Sequence, residues 1–198
     1  MAILSITKQI KFLNSLGLPA KTLAQRRASW KVFQDASAWH HFDAASKKVG
    51  PLTADGVPGP KTIVHVNAST RAGYRIAPHF KLSEFKCRAA GHTHVSIWRE
   101  LVYSLELLRS RIGPINIVNG YRCPAFNKQV GGVPNSAHIM WPGRAVDFQP
   151  HPAPIKAKGL GFHGIGVRNT DGNPRTPMVT IHVDQHPSLR KDTVFTDA

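Results

Sequence analysis

The chain is short of acidic residues, and this shortage sets its charge. Among 198 residues there are 11 Asp and Glu against 26 Lys and Arg, which gives a formal net charge of +15. A positive field of this size favours polyanions such as nucleic acid, anionic lipid or acidic polymers. The sequence lacks a run of about five or six basic residues, and it lacks helix-turn-helix, zinc-finger and RNA-binding signatures. The charge therefore indicates a polyanionic neighbourhood, and no specific nucleic-acid partner is predicted.

Cysteines and long apolar stretches are also scarce. The two cysteines, Cys87 and Cys123, are too few for a disulfide framework, and one bridge between them or two buried free thiols both stay open. No apolar run approaches the roughly 20 residues that a membrane-spanning helix needs, so no transmembrane segment is predicted. Residues 1–16 mix Lys and Asn with apolar residues and lack the continuous apolar segment of a secretory signal. We therefore expect synthesis in the cytoplasm without a signal peptide.

The first seventy residues carry helical patterns. Apolar residues recur at helical spacing at Ile6, Ile10, Leu13 and Leu16, and Gly17 ends this helix. A second helix is predicted from residue 22 to about residue 39. The turn pair Asp55-Gly56 follows, and Thr62 is expected to cap a short third helix. We predict a small helical domain over residues 1–70.

The second part of the chain combines one long helix with strand patterns. Small and polar residues predict a linker at residues 71–79. An amphipathic helix is predicted for residues 96–111, and strands are predicted for residues 115–119, 146–148 and 179–183. Helices followed by strands, without βαβ alternation, are typical of an α+β domain. Residues 80–198 are therefore predicted to form a domain with a small antiparallel sheet flanked by helices.

Three residues in these strand-like surroundings have the chemistry of metal ligands. They are His138, Asp147 and His182. Asp147 lies inside an apolar strand pattern, where a carboxylate without a partner would be costly to bury. Two histidines and one acid suit a tetrahedral Zn²⁺ ion, and three protein ligands leave a fourth position for water, as in catalytic zinc sites.

The motifs around these residues resemble those of the M15 peptidase family. The matching segments are Gly120-Tyr121-Arg122-Cys123-Pro124, Ser136 with His138, Gly143 with Ala145 and Asp147, and His182-Val183-Asp184. The family contains zinc D-Ala-D-Ala carboxypeptidases and peptidoglycan endopeptidases, including many phage endolysins. The resemblance implies a Zn²⁺ ion held by His138, Asp147 and His182. In the family the acid follows the first histidine by seven residues, whereas here it follows by nine, and the two extra residues near residues 140–142 are expected to reshape the pocket rim.

The resemblance also implies roles for residues beside the ligands. Asp184 is the candidate general base, an orienting partner of His182, or both. Arg122 is expected to hold a substrate carboxylate or to stabilise an oxyanion, with a structural ion pair as the alternative. Ser136 is expected to fix the loop before His138 or to contact substrate, and Ser136 and Tyr121 are the candidate substrate-binding residues.

The helical region carries a second resemblance. Phe33-Gln34 together with the turn of residues 55–62, of the form DGxxGxxT, resembles the small peptidoglycan-binding domain. The alternative is a helical cap that packs on the enzyme.

Taken together, these patterns predict a monomeric zinc peptidase of peptidoglycan with no transmembrane segment. Its expected partners are peptidoglycan and anionic cell-envelope polymers. We expect a phage endolysin that is made in the host cytoplasm and acts on the cell wall after release. The alternative is a non-catalytic wall-binding protein with a structural zinc, and its fourth zinc position would be filled by a protein side chain.

Overall fold

Six α-helices and five strands form the part of the chain that the computed structural model describes, which is residues 4–149, 157–168 and 180–197. The helices are α1 (Ile6–Ser15), α2 (Leu23–Ala36), α3 (Ala44–Val49), α4 (Pro60–Arg71), α5 (Arg99–Ile112) and α6 (Pro124–Gln129). The strands are β1 (Asn116–Asn119), β2 (Ala145–Gln149), β3 (Gly164–Arg168), β4 (Thr180–Asp184) and β5 (Thr193–Asp197). Within these ranges, no helix has both the length and the apolar character to cross a membrane.

The first two helices begin and end where their sequence signals predict. The side chain of Ser5 accepts a hydrogen bond from the Lys8 amide at the start of α1, and Gly17 follows its end with φ +76°. Thr22 and Gln25 form a capping box at the start of α2. The prediction that α2 extends to about residue 39 is too long, because the helix ends at Ala36.

The predicted cap at Thr62 is wrong. Helix α4 begins at Pro60 with Gly59 as its N-cap. Proline suits the first helical position because it lacks a backbone N–H, and an N–H there would have no partner within the helix. Thr62 lies inside the helix, where its hydroxyl accepts a hydrogen bond from Gln34 Nε2 at 3.2 Å. The same amide donates to Asp55 Oδ1 and to the Val57 carbonyl, both at 2.9 Å. Gln34 therefore ties α2 to the turn before α4.

The five strands form one sheet in the order β1-β2-β4-β3-β5. Strands β1, β2, β4 and β3 pair antiparallel, which confirms the α+β class and the small antiparallel sheet. Strand β5 adds a parallel edge beside β3, and neither of these strands was predicted. The predicted third strand corresponds to β4, although residue 179 lies outside the described residues.

Helix α5 buries its apolar face together with side chains of the sheet and of the helical region. Its apolar face is fully buried at Leu101, Val102, Leu105 and Leu108. It begins at Arg99, three residues after the predicted start. Side chains of the sheet and of the helical region belong to the same continuous buried cluster as this face. The helix therefore shares one buried core with the sheet and with the helical region.

Several polar contacts also join the helical region to α5. Arg99 donates to the Leu52 carbonyl at 2.5 Å, and the His41 ring stacks on Tyr103 with centroids 3.9 Å apart. The predicted linker is packed between the two parts, since Ile76 and Ala77 are fully buried and the Ala38 amide donates to the Ile76 carbonyl at 3.0 Å. The division into two domains with a linker at residues 71–79 stays a prediction. The two parts share one buried core.

Buried His65 provides a test of this packing through pH. The Ser37 hydroxyl donates to His65 Nδ1 at 2.8 Å, and His65 Nε2–H donates to the Gly50 carbonyl at 3.1 Å. Burial lowers the pKa of His65 from 6.5 to about 4. Between these values the unfolded chain binds a proton that the folded chain excludes, so acidification reduces the free energy of unfolding, by at most about 3 kcal/mol.

We expect His65→Gln to lose this pH-dependent part of the free energy of unfolding. The glutamine keeps a donor for the Gly50 carbonyl. Denaturant unfolding of both proteins at about pH 7, 5.5, 4.5 and 3.5 measures this part of the free energy. The wild type should lose more stability than the variant over this interval, and the extra loss should level off below about pH 4. Equal losses in the two proteins would contradict the account.

Candidate metal centre

Pairing of β2 with β4 brings the two strand-borne candidate ligands together. In this antiparallel register Asp147 lies opposite His182, and their side chains lie on the same face of the sheet. His182 Nδ1 is 2.9 Å from Asp147 Oδ1. His138 Nε2 is 3.3 Å from the same oxygen and 3.2 Å from His182 Nδ1. Three donor atoms of the types predicted from the sequence therefore converge in one buried group.

His138 reaches this group from a single helical turn rather than from a strand. The turn spans Ala137–Ile139, and Ser136 Oγ accepts a hydrogen bond from the His138 amide at 3.3 Å. The turn is fixed on both sides, because the Arg122 amide donates to the His138 carbonyl and the Arg144 amide donates to the Ala137 carbonyl. Ser136 thus fixes the loop before His138, one of the roles that its position suggested.

Each candidate ligand has a second partner that orients it. His138 Nδ1–H donates to the Gly120 carbonyl at 2.6 Å, which leaves the Nε2 lone pair facing the group. His182 Nε2–H donates to Asp184 Oδ2 at 3.0 Å, which leaves Nδ1 facing inward. Outer partners of this kind are typical of metal-binding histidines, because they fix the tautomer and the direction of the ring.

The Asp147 carboxylate uses its other oxygen for different partners. Oδ2 accepts hydrogen bonds from an Arg122 Nη2 and, at 3.2 Å, from Asn119 Nδ2. Arg122 is buried with it, so the structural ion pair considered for this arginine is present. Oδ1 remains directed at the two imidazoles. The carboxylate is thus held with Oδ2 paired to Arg122 and Asn119 and with Oδ1 directed at the candidate ligand group.

The charges around the group favour a cation there. Burial opposes the charged form of His182, but hydrogen bonds and charge from Asp147 and Asp184 outweigh it and raise the pKa of His182 to about 9. Burial alone would raise the pKa of Asp147, yet His138 and His182 hold it well below its ordinary value. Burial lowers the pKa of His138 despite Asp147. Two carboxylates therefore stabilise positive charge at this point, whether a proton or a metal ion carries it.

A cavity of about 320 Å³ opens onto this group. Its lining includes Arg122, Ser136, His138, His182, Asp184 and His186. Further lining comes from residues 131–133 and 188–189, which the sequence patterns did not indicate. His186 Nε2–H donates to the Asn135 carbonyl at 3.1 Å, so it joins the two walls of the cavity. The arrangement places donor atoms, an arginine and an acid beside a space that can admit a ligand.

Tyr121 and the extra residues near 140–142 lie elsewhere. Tyr121 packs with Cys87 and Cys123, and its ring meets Trp141 edge-on with centroids 5.3 Å apart. Among the described residues, neither Tyr121 nor residues 140–142 belong to the cavity lining. The substrate-binding role of Tyr121 and the effect of the insertion on the pocket rim stay predictions, and this cavity gives them no support.

Three further residues contribute to the site and were missed. Asn119 holds Asp147, Gly120 accepts from His138, and Gly164 lies opposite Asp184 across β3 and β4. A Cβ added to Gly164 would stand 2.3 Å from Asp184 Oδ2, so the acid needs a glycine there. The contacts of Asn119 and Gly164 follow from strand register, whereas the contact of Gly120 depends on where the turn that carries His138 packs. Gly120 opens the Gly120-Tyr121-Arg122-Cys123-Pro124 motif and Asn119 directly precedes it, which was the one available signal.

Comparison with known proteins supports a peptidase. Residues 78–161 match the model of a family described as Peptidase M15. The matched segment is less than half of the chain, and it supports the M15 peptidase family that the resemblance of the motifs predicted. It contains Arg122, His138 and Asp147 and ends before His182 and Asp184. No curated protein matches the chain.

We expect His138→Ala and Asp147→Ala to abolish tight zinc binding at this group, with an affinity loss of more than about 100-fold at this site. Each removes one of three donor atoms, and the loss should exceed the roughly 10–100-fold cost of losing an outer partner. Titration of the metal-free proteins with zinc in a calorimeter measures the change. His94→Ala removes an exposed imidazole outside the group and serves as the control. Unchanged zinc affinity of a folded Asp147→Ala protein at this site would contradict the assignment.

Proposed function

We propose that the protein is a zinc-dependent peptidase that hydrolyses a peptide bond in the stem peptides or cross-links of peptidoglycan. One observation carries the proposal: the donor atoms of His138, Asp147 and His182 converge beside a cavity, and two of these residues lie within the M15 segment. Neither the charge nor the fold alone would distinguish a peptidase from a binding protein.

The residues fit zinc in donor type, number and support. Two imidazole nitrogens and one carboxylate oxygen are common zinc donors, and each of the three side chains has an outer hydrogen-bond partner. When bound there, zinc supplies a Lewis acid that polarises a carbonyl group and makes water a nucleophile near neutral pH. Within the described residues the group has three members, which is the ligand number typical of catalytic rather than structural zinc sites.

Arg122 has two proposed tasks. Its guanidinium pairs with Asp147, and this contact holds the carboxylate in place. Arg122 also lines the cavity, so its charge faces the space that a substrate would enter. A fixed guanidinium in such a position favours a substrate carboxylate or the negative charge that develops on a carbonyl oxygen.

Asp184 is proposed to orient His182 and to accept a proton from the attacking water. Its Oδ2 accepts from His182 Nε2–H, and its Oδ1 accepts from the His186 amide at 2.8 Å. Burial alone would raise the pKa of Asp184, but His182 and the His186 amide outweigh it and hold the pKa below its ordinary value. The acid is therefore ionised at neutral pH, as both tasks require. It also lines the cavity, where a proton acceptor is needed.

The helical region supports a polymeric, anionic substrate. A second cavity of about 460 Å³ lies between α2 and the turn before α4, with Leu23, Trp30, Val57 and Ile63 among its apolar residues and Arg26 and Arg27 at its side. Leu23 and Val57 are more than half exposed. An apolar groove with basic residues suits a glycopeptide with acidic groups, which supports peptidoglycan binding by residues 1–70. The net charge of +15 favours the same anionic envelope.

A phage endolysin is the biological role that we propose for this activity. It would be made in the host cytoplasm, reach the cell wall after release and act there as a monomer. Three observations support this role: the match to the peptidase family, the basic charge and the groove in the helical region.

We expect zinc-loaded protein to release peptide-containing fragments from purified sacculi, and a chelator to abolish this release. Mass spectrometry of the fragments identifies the new termini and thereby the bond. His138→Ala should release nothing, since it lacks a zinc ligand. Zinc-loaded wild type that binds sacculi without releasing fragments would favour the alternative, a wall-binding protein with a structural zinc.

Asp184→Ala separates metal binding from turnover in the same assay. We expect it to keep zinc through the three ligands, with affinity lower by roughly 10–100-fold because His182 loses its orienting partner. At saturating zinc it should still lose turnover. A zinc-saturated and fully active Asp184→Ala protein would refute the role of proton acceptor.

A further inference from the structure

A second group of metal-binding side chains lies apart from the residues considered so far. The ligand atoms of Cys87, His92 and Cys123 all lie within 4.8 Å of one another. Donor atoms about 2.0–2.3 Å from a tetrahedral zinc ion stand roughly 3.5–3.8 Å apart, so this group has about the right size. Both cysteines are buried and unbridged, and His92 is half-buried. None of the three belongs to the His138, Asp147 and His182 group.

Backbone contacts hold the three residues in this arrangement. The Cys87 amide donates to the His94 carbonyl at 2.9 Å, and Lys86 pairs with Val95, so residues 86–95 form a narrow loop that carries both Cys87 and His92. The Cys123 amide donates to Cys87 Sγ at 3.4 Å and thereby joins this loop to residues 120–123. The Phe126 amide donates to Cys123 Sγ at 3.4 Å. Amide donors to sulfur support metal-bound thiolates in the way that outer partners support histidine ligands.

His92 provides an independent sign of a ligand. Its Nδ1 atom is buried and has no hydrogen-bond partner among the described residues. A buried polar atom without a partner costs about 1–3 kcal/mol, and native structures rarely tolerate it without a compensating ligand. One ring nitrogen of His92 lies within 4.8 Å of both thiols, so an ion placed among the three side chains would coordinate this ring together with both sulfurs.

We propose that Cys87, His92 and Cys123 bind a second metal ion, a thiophilic divalent cation such as Zn²⁺. Two thiolates and one imidazole are soft donors that suit zinc and disfavour magnesium or calcium. Binding forms two metal–sulfur bonds and one metal–nitrogen bond and releases the two thiol protons to solvent. No oxidant is needed, because sulfur and metal keep their oxidation states.

The ion would affect the cavity by fixing the position of a segment that contributes to its lining. It would fix the loop of residues 86–95 to the segment that carries Arg122, whose guanidinium pairs with Asp147. Arg122 directly precedes Cys123, so an anchored sulfur limits the movement of the arginine backbone. The proposal does not depend on the peptidase activity, because the ligands and the test are separate from it.

Cobalt substitution tests the site directly in the full-length protein, purified and kept under reducing conditions. A Co²⁺ ion bound by two thiolates gives a sulfur-to-metal charge-transfer band in the near ultraviolet, whereas a site of histidines and a carboxylate gives none. We expect this band in the wild type and in His138→Ala, and we expect Cys123→Ser and His92→Ala to weaken or abolish it. His94→Ala removes the exposed neighbour of His92 and should keep it.

Metal analysis of the same proteins after zinc loading and gel filtration gives the second readout. Cys123→Ser should retain one equivalent of zinc fewer than the wild type, and so should His138→Ala, each through a different site. A wild-type protein without the charge-transfer band would overturn the proposal even if Cys123→Ser failed to fold. So would an intact mass lower by two hydrogens after purification without reductant, together with thiols that stay unreactive after chelation, because a Cys87–Cys123 disulfide would then occupy the site.

Discussion

The buried carboxylate of Asp147 is the interaction on which the rest of the site depends. It lies on a central strand of the sheet, where an isolated negative charge would be strongly destabilising. One oxygen faces Arg122 and Asn119, and the other faces His138 and His182. Removing the positive partners would leave an uncompensated charge in the core, so the fold and the candidate metal centre require the same contacts.

This dependence explains why distant parts of the chain meet at the site. Pairing of β1 with β2 brings Asn119 opposite Asp147, and pairing of β2 with β4 brings His182 opposite it. Helix α5 packs on the sheet and on the helical region, so the site rests on a core that includes both. We infer that the helical region contributes to the stability of the peptidase part, in addition to any role in binding the wall.

Local patterns predicted three of the five described strands and the candidate ligands, whereas the remaining contacts depend on how the chain packs. Alternation around Asp147 and His182 indicated β2 and β4, and the order of motifs indicated which side chains come together. Strand β3 was missed because Gly164 and Gly166 weaken a strand pattern, although Gly164 makes room for Asp184. The contact of Asn119 with Asp147 follows from strand register, and that of the Gly120 carbonyl follows from the packing of the turn that carries His138; one sequence reveals neither. Thr62 was misassigned because Pro60 starts the helix earlier.

Diffraction from crystals of the zinc-loaded protein, recorded on both sides of the zinc absorption edge, tests the central claim most directly. The account predicts an anomalous peak within bonding distance of His138 Nε2, Asp147 Oδ1 and His182 Nδ1, with the fourth position open to the cavity. A zinc-saturated crystal without a peak at these three atoms would contradict it, and so would a peak whose fourth position is closed by a protein side chain.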